Sequence, residues 1–276
     1  MSHPITSMAL FCDFENIALG VRDAKYAKFD IDRVLERLLL KGSIVVKKAY
    51  CDWDRYKEFK APMHEASFEL IEIPHVRISG KNSADIRMVV DALDLCYTKS
   101  HVDTFVIISG DSDFSPLVSK LRENNKTVIG VGVKSSTSDL LIANCDEFIF
   151  YDDLVRQEEK KKQRRTRRKP VAKQAQDTQK PQPKAESTDE DRRQEAFDLV
   201  MDTIEALAEE RDQDEKIWGS MVKQTLKRRN PGFNETYYGF RTFSDLLENA
   251  QQHKLLALEP DQKSGGYIIR RLAREE

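Results

Sequence analysis

The stretch Phe105-Val106-Ile107-Ile108-Ser109-Gly110-Asp111-Ser112-Asp113 decides the fold class of this 276-residue chain. Its apolar, mostly β-branched beginning is typical of a strand that is buried on both faces of a parallel sheet. A turn follows at once and carries two aspartates. The run Met8 to Cys12 repeats the arrangement, because Asp13 follows it directly. The carboxyl ends of parallel strands meet at one crevice, where ligands bind, so these aspartates are expected to lie close together.

Strand and helix patterns alternate from about residue 5 to residue 155. Apolar and β-branched runs predict strands at 8–12, 43–50, 68–73, 105–108, 127–133 and 147–150. Helical spacing predicts helices at 32–40, 62–67, 83–98, 114–124 and 138–143. Repeated βα units predict an α/β fold, in which helices flank both faces of a mostly parallel sheet.

The charge of the chain is unevenly distributed. The net charge is only −2, yet residues 156–184 hold 12 Lys and Arg against 3 Asp and Glu. Such a basic segment favours contact with a polyanion such as nucleic acid. No run approaches the roughly 18 apolar residues of a membrane span, and no secretory signal is visible. We therefore expect a cytoplasmic protein that has no membrane partner.

The four cysteines, Cys12, Cys51, Cys96 and Cys145, are too far apart in sequence to suggest a zinc site. Apolar neighbours predict that they are buried, unpaired residues in a reducing compartment. Histidines are few and scattered, which also argues against a zinc hydrolase.

These patterns divide the chain into three parts: a domain at 1–155, a basic flexible linker at 156–188, and a second domain at 189–276. The linker lacks apolar periodicity and is either a simple tether, partly helical or disordered, or a tether that also grips a nucleic acid backbone. The second domain has helical patterns at 191–208, 218–229 and 240–252, with short strands at 255–258 and 267–269. This order predicts a small winged helix-turn-helix.

Four aspartates form the candidate catalytic and metal-binding set: Asp13, Asp85, Asp111 and Asp113. Clustered carboxylates repel one another unless a cation is present, and hard cations such as Mg²⁺ prefer oxygen ligands. One or two such ions can support cleavage of a phosphodiester. Each member also has a purely structural interpretation: a helix cap at Asp13, a first-turn charge at Asp85, and turn formation at Asp111 and Asp113.

Further candidates surround this set. Asp91 lies six residues after Asp85, about 120° around the helix, so it is either a further metal ligand or a residue that orients Arg87 or Lys81. The substrate-binding candidates are Asn16, Lys81, Ser109 and Ser112, of which the two serines can also orient the carboxylates. A basic helix end offers phosphate contacts in the second domain through Lys223, Lys227, Arg228 and Arg229.

Three motifs give the first domain a family resemblance. Phe11 to Asn16, Gly80 to Asp91 and Ser109 to Phe114 together resemble the NYN domain family of PIN-like nucleases, in particular its bacterial LabA-like group. The resemblance implies a PIN-like Rossmannoid sheet. It also implies a Mg²⁺ or Mn²⁺ site at Asp13, Asp85, Asp111 and Asp113, and ribonuclease activity that leaves a 3′-hydroxyl and a 5′-phosphate.

The second domain resembles the OST-HTH, or LOTUS, domain through the stretch Gly232 to Leu247. That resemblance implies binding of RNA or of a protein partner. The whole chain is thus expected to be a metal-dependent ribonuclease whose second domain recruits its substrate. The alternative is a non-catalytic RNA-binding regulator or adaptor, and a homodimer is compatible with either function.

Overall fold

The computed structural model describes residues 6–73, 83–167, 189–209, 216–261 and 266–271. The chain divides into two compact units, Met1–Lys160 and Lys161–Glu276, and each is described by itself.

The first unit contains a six-stranded sheet in which all neighbouring strands are parallel. The strands are β1 (Ser7–Asp13), β2 (Ser43–Cys51), β3 (Glu69–Glu72), β4 (Thr104–Ile108), β5 (Thr127–Gly132) and β6 (Glu147–Phe150). Their order is β3-β2-β1-β4-β5-β6. The order reverses between β1 and β4, so the carboxyl ends of these two strands are the place where an open α/β sheet binds its ligand.

Six helices are described within this unit: α1 (Phe14–Asp23), α2 (Ile31–Leu39), α3 (Lys57–Glu65), α4 (Ser83–Thr98), α5 (Ser115–Glu123) and α6 (Asp139–Asn144). A seventh, α7 (Tyr151–Arg167), begins in it. A single 3₁₀ turn, Ser112–Phe114, precedes α5. Successive side chains of β1 point to opposite faces of the sheet, so they contribute to two separate hydrophobic cores. Leu10 and Cys12 belong to the core that packs against α1, α2 and α3, whereas Phe11 belongs to the core that packs against α4, α5 and α6.

The predicted parallel sheet with helices on both faces is confirmed. The capping interpretation of Asp13 implies a helix after β1, but no bounds were predicted for α1, which begins directly at the end of β1 without an intervening loop. The predicted start of α3, at Pro62, is five residues late, because the helix starts at Lys57 and contains the proline. Helix α7 extends into the segment that was predicted to be a linker. The division into two domains and a linker stays a prediction, and residues 168–188 lie outside the described part of the chain.

The second unit contains α8 (Asp189–Glu209), β7 (Ile217–Trp218), α9 (Gly219–Arg229), α10 (Phe243–Gln252), β8 (Leu256–Pro260) and β9 (Tyr267–Arg271). The strands form an antiparallel sheet of order β7-β9-β8. A core that includes Phe197, Leu226, Leu246 and Leu256 joins the helices to this sheet. The three helices and the terminal hairpin therefore form close to the predicted positions, and the assignment to a winged-helix family stays a prediction.

All four cysteines are buried and free, as their apolar neighbours predict. In the described part of the chain, no helix combines the length and the apolar character that crossing a bilayer requires.

Candidate active site

Asp13 joins the fold to the candidate site, because it ends β1 and caps α1. Its Oδ1 accepts a hydrogen bond from the Asn16 backbone N–H at 3.3 Å, and its Oδ2 accepts one from the Ser109 hydroxyl at 3.0 Å. Only 8% of Asp13 is exposed. The pKa of Asp13 is raised to about 7, mainly by burial and further by Asp85 and Asp111, although the two hydrogen bonds act in the opposite direction.

The turn after β4 holds its aspartates through local hydrogen bonds. The Ser109 hydroxyl oxygen accepts from the Asp111 backbone N–H at 3.2 Å, and Asp111 Oδ1 accepts from the Asp113 backbone N–H at 3.0 Å. The Gly110 backbone N–H donates to Asn16 Oδ1 at 2.9 Å, which ties this turn to α1. The ends of β1 and β4 thus form one hydrogen-bonded network.

Asp85 approaches this network from the first turn of α4. Its carboxyl group is half-buried, and its pKa is raised to about 6 by burial and by the charges of Asp111, Asp113 and Glu15. Both Asp13 and Asp85 therefore resist ionisation, because each lies near other carboxylates in a partly dry environment. Such perturbed pairs mark candidate functional sites.

A cavity of ≈ 290 Å³ opens where these elements meet. We call it the acidic cavity, because its lining includes five carboxyl side chains: Asp13, Glu15, Asp52, Asp85 and Asp111. Asp113 does not line the cavity and is exposed beside it, close enough for its charge to raise the pKa of Asp85. The structure thus brings Asp13, Asp85 and Asp111 around one space, with Asp113 at its edge.

The chemistry of these donors fits a hard divalent cation, since oxygen ligands and an excess of negative charge are what Mg²⁺ and Mn²⁺ require. Burial and the charges of neighbouring carboxylates raise the pKa of both Asp13 and Asp85, and a cation would relieve this repulsion. Within the described ranges, however, no three Asp, Glu, His or Cys side chains are gathered closely enough to form a ready metal cage. The fit therefore rests on the chemistry of the donor set.

Asp91 lies outside the lining of the acidic cavity and is engaged elsewhere. Its Oδ2 accepts from the Tyr50 hydroxyl at 2.9 Å and lies 3.6 Å from Lys48 Nζ. Its Oδ1 accepts from Arg87 Nε at 3.1 Å. Asp91 thus holds Arg87 in place, which is one of the two roles that the sequence suggested, and its role as a metal ligand stays a prediction.

The predicted substrate-binding residues occupy different environments. Asn16 lines the acidic cavity, whereas Ser109 is completely buried and engaged on both sides by Asp13 and Asp111. Ser112 begins the 3₁₀ turn and is partly exposed. Lys81 lies outside the described residues.

Sequence reasoning missed two carboxylates of the acidic cavity. Glu15 lies in the first turn of α1, and because the bounds of this helix were not predicted, the proximity of Glu15 to Asp13 could not be inferred. Asp52 directly follows β2, so the rule that pointed to Asp13 and Asp111 as residues after a strand could have found it.

The basic end of α9 in the second unit is partly used within its own fold. Lys223 Nζ forms an ion pair with Glu235 at 2.8 Å, and this contact with Lys223 lowers the pKa of Glu235 despite burial. Arg229 donates to the Asp202 carbonyl oxygen at 3.3 Å, while Arg228 is exposed and Lys227 is half-buried. Phosphate binding by these four residues stays a prediction.

Known proteins resemble parts of this chain. An uncharacterized protein of Methanocaldococcus jannaschii is 31% identical over 121 residues, which are 42% of this chain and 45% of the relative. The Meiosis regulator and mRNA stability factor 1 of Xenopus tropicalis is 25% identical over 155 residues, 56% of this chain and 9% of the relative. The chain therefore spans less than half the length of either curated relative.

A crystal structure of a protein of unknown function from Vibrio parahaemolyticus is also similar. It has 27% sequence identity and a TM-score of 0.49, and the match covers 56% of this chain and 98% of that one. The NYN domain matches residues 7–152, which include β1 to β6 and every carboxylate of the acidic cavity. By this match over more than half of its length, the chain belongs to the NYN domain family.

Proposed function

We propose that this protein is a metal-dependent ribonuclease that cleaves RNA phosphodiester bonds at the acidic cavity. The observation that carries the proposal is the convergence of Asp13, Asp85 and Asp111 on one cavity at the reversal of strand order, with the pKa of Asp13 raised to about 7 and that of Asp85 to about 6. NYN domains are associated with nucleases that act on RNA, which supports the same reaction class.

Mg²⁺ or Mn²⁺, when bound by Asp13, Asp85, Asp111 and Asp113, would neutralise charge on the phosphate and favour ionisation of a water nucleophile. The chain itself fixes the carboxylates. Ser109 and the Asn16 backbone hold the two oxygens of Asp13, while the turn after β4 holds Asp111. Rigid ligands of this kind cost little reorganisation during the reaction.

Asn16 has a defined role in this proposal. Its Oδ1 accepts from the Gly110 backbone N–H, which orients the amide, and its Nδ2 hydrogens are the donors that the side chain offers to a substrate. Asn16 would therefore donate to a non-bridging phosphate oxygen. Ser109 is a positioning residue, because its hydroxyl is used between Asp13 and Asp111.

The second unit would recruit the substrate. Its three helices and terminal hairpin have the element order of a winged helix-turn-helix, and its sequence resembles the OST-HTH or LOTUS domain. Arg228 and Lys227 on α9 would contact RNA phosphates, and tethering would raise the local concentration of RNA at the acidic cavity. The relative from Xenopus tropicalis is named for mRNA stability, which supports RNA as the substrate class.

The proposal is tested by the cleavage of labelled single-stranded and structured RNA in Mn²⁺, Mg²⁺ or EDTA. The wild-type protein should cut RNA only with a metal ion. Asp111→Asn should lower the rate at least about 100-fold, within the range for loss of one strong electrostatic contribution to a transition state. Asp94→Asn is the matched control, because Asp94 is exposed on α4 and does not line the acidic cavity.

RNA binding without cleavage in any metal, equal in the wild type and in Asp111→Asn, would refute the enzyme. The same outcome would support the alternative of a non-catalytic RNA-binding regulator.

A further inference from the structure

A second cavity, of ≈ 390 Å³, lies beside the acidic cavity in the first unit. It is formed by α1, by the loop that follows α1, and by the start of α3. Leu19 lines both cavities. We call it the aromatic-basic cavity, because its lining includes the rings of Tyr26, Phe29, Tyr56 and Phe59 and the cations Arg22, Lys28 and Arg55.

The aromatic rings of this cavity are held by their neighbours. Tyr56 and Phe59 each pack edge-on against Phe14, with ring centroids 5.6 Å and 5.0 Å away. Tyr26 donates its hydroxyl to Asp152 at 2.9 Å. Tyr26, Tyr56 and Phe59 are only half-buried, whereas Phe29, the fourth ring of the lining, is buried. They therefore offer preorganised aromatic surface, which a flat ligand can cover at a small entropic cost.

Lys28 lies over one of these rings next to a place where α3 lacks one helical hydrogen bond. Pro62 has no N–H to donate to the carbonyl oxygen of Glu58, which would otherwise be its helical partner. Lys28 Nζ reaches that oxygen at 3.4 Å and lies 4.5 Å from the centroid of the Phe59 ring. The carbonyl oxygen that Pro62 leaves free thus holds the Lys28 ammonium group beside the face of the Phe59 ring.

Arg55 connects the two cavities electrostatically. Its Nη1 lies 3.2 Å from Glu15 Oε1, and Glu15 lines the acidic cavity, whereas Arg55 lines the aromatic-basic cavity. About half of the Arg55 side chain is exposed. An RNA strand that extends from one cavity into the other would therefore contact the Arg55 guanidinium group at the boundary.

This combination of groups matches an unpaired nucleotide. Unstacked bases bind to aromatic rings, and cations bind the phosphates on either side. A volume of ≈ 390 Å³ falls at the small end of the range for ligand pockets. Glu58 is the one carboxylate that the described lining contains, and it can accept a hydrogen bond from an exocyclic amino group. The acidic cavity alone would repel RNA, so an adjacent basic surface supplies attraction that a nuclease needs.

We propose that the aromatic-basic cavity binds one unpaired nucleotide of an RNA strand whose neighbouring phosphodiester lies in the acidic cavity. The base stacks on Tyr56, while Lys28 and Arg55 contact the flanking phosphates. This inference rests on the proposed function for the identity of the substrate. It predicts that cleavage requires at least one unpaired nucleotide next to the scissile bond.

The experiment uses the full chain with Asp111→Asn and a short single-stranded RNA that carries one 4-thiouridine. Ultraviolet cross-linking followed by mass spectrometry should attach the probe to the peptide that contains Tyr56 and Phe59. This readout is local, so RNA bound elsewhere on the chain does not obscure it. Tyr56→Leu, added to this protein, should reduce that cross-link about 10-fold, the magnitude of one lost base–aromatic stack, whereas Tyr56→Phe should keep it.

Lys28→Gln provides a second variant in case Tyr56→Leu fails to fold. It should weaken RNA binding and make the binding less dependent on salt, because one phosphate contact is lost. Lys120→Gln is its control, since Lys120 is an exposed lysine on α5, which packs on the opposite face of the sheet.

The outcomes separate this inference from the proposed function. If no cross-link forms at residues 55–59 or 26–29, and if neither Tyr56→Leu nor Lys28→Gln changes binding, the inference is wrong even for a protein that cleaves RNA. A cross-link at Tyr56 that the leucine variant loses supports the inference even if no metal ion produces cleavage.

Discussion

At the residue scale, Asp13 serves both the fold and the proposed chemistry. Its side chain caps α1 and accepts from Ser109, yet burial and neighbouring carboxylates raise its pKa to about 7. An unfolded aspartate titrates near 3.9. The folded protein therefore binds more protons than the unfolded chain between about pH 4 and pH 7, and the stability of the metal-free protein falls as the pH rises through this range.

Asp85, whose folded pKa is raised to about 6, likewise makes the stability of the metal-free protein fall as the pH rises. We expect Asp85→Asn to stabilise the metal-free first unit at pH 8, because repulsion with Asp111, Asp113 and Glu15 disappears. The gain should vanish at pH 4, where the wild-type carboxyl group is protonated. Hydrogen exchange of the β1 and β4 amides in EDTA measures this, since it reports on the first unit alone.

Asp94→Asn is again the control and should leave the protection of these amides unchanged at both pH values. If Asp85→Asn instead lowered the stability of the first unit equally at pH 4 and pH 8, Asp85 would be a structural partner and not a carboxylate repelled by its neighbours.

At the element scale, the turn after β4 depends on a close approach between backbone segments. A Cβ atom at Gly110 would lie 2.6 Å from the carbonyl oxygen of Ser136. The Gly110 carbonyl oxygen also accepts from the Ser138 backbone N–H at 2.9 Å. Gly110 therefore lets the turn that carries Asp111 lie against the loop before α6.

Gly110→Ala should consequently displace this turn. We expect a loss of about 1–3 kcal/mol in the free energy of unfolding, as in overpacked sites, and a loss of RNA cleavage that exceeds the loss of folded protein. Urea denaturation and a cleavage assay on the folded fraction check this. Ser119→Ala, at an exposed position of α5, is the control, and cleavage by Gly110→Ala at the wild-type rate would contradict this prediction.

The elements differ in how well the sequence predicts them. The strands were found because their apolar runs are continuous, as burial on both faces requires. The bounds of α1 were not predicted, because no turn residue separates it from β1 and its first residues, Phe14 and Glu15, belong to the strand-end motif. The start of α3 was predicted too late because a proline usually marks the first turn of a helix. Here Pro62 lies inside the helix, and Lys28 contacts the carbonyl oxygen that the proline leaves without its helical partner.

The candidate site was predictable only in part. Asp13 and Asp111 follow strands, so the topology rule identified them. The aromatic-basic cavity could not be predicted, because Tyr26 and Lys28 lie in the loop after α1 whereas Tyr56 precedes α3, and only the folded packing brings them together.

At the scale of the whole molecule, basic charge is concentrated outside the acidic cavity. Residues 160–169 alone hold 8 Lys and Arg. Replacing all eight with glutamine should weaken RNA binding and flatten the dependence of log K on log salt by about 0.7 for each phosphate contact that is lost. The cleavage rate at saturating RNA should stay unchanged, because this prediction assigns the basic segment to RNA binding alone.

Filter binding across a range of salt concentrations measures this slope. Glutamine at Lys99 and Lys120, two exposed lysines on the face of the sheet that α4 and α5 cover, serves as the comparison. An unchanged salt slope in the eightfold variant would show that this basic segment does not contact RNA.

The capping role of Asp13 and Asp111 also bears on how such a protein evolves. Both side chains accept hydrogen bonds from backbone N–H groups at the start of a helix or helical turn, and asparagine caps as well as aspartate does. A codon for aspartate becomes one for asparagine by a single base change. One mutation can thus abolish the chemistry while the structure persists, so inactive descendants of this architecture should arise easily and survive whenever binding alone remains useful.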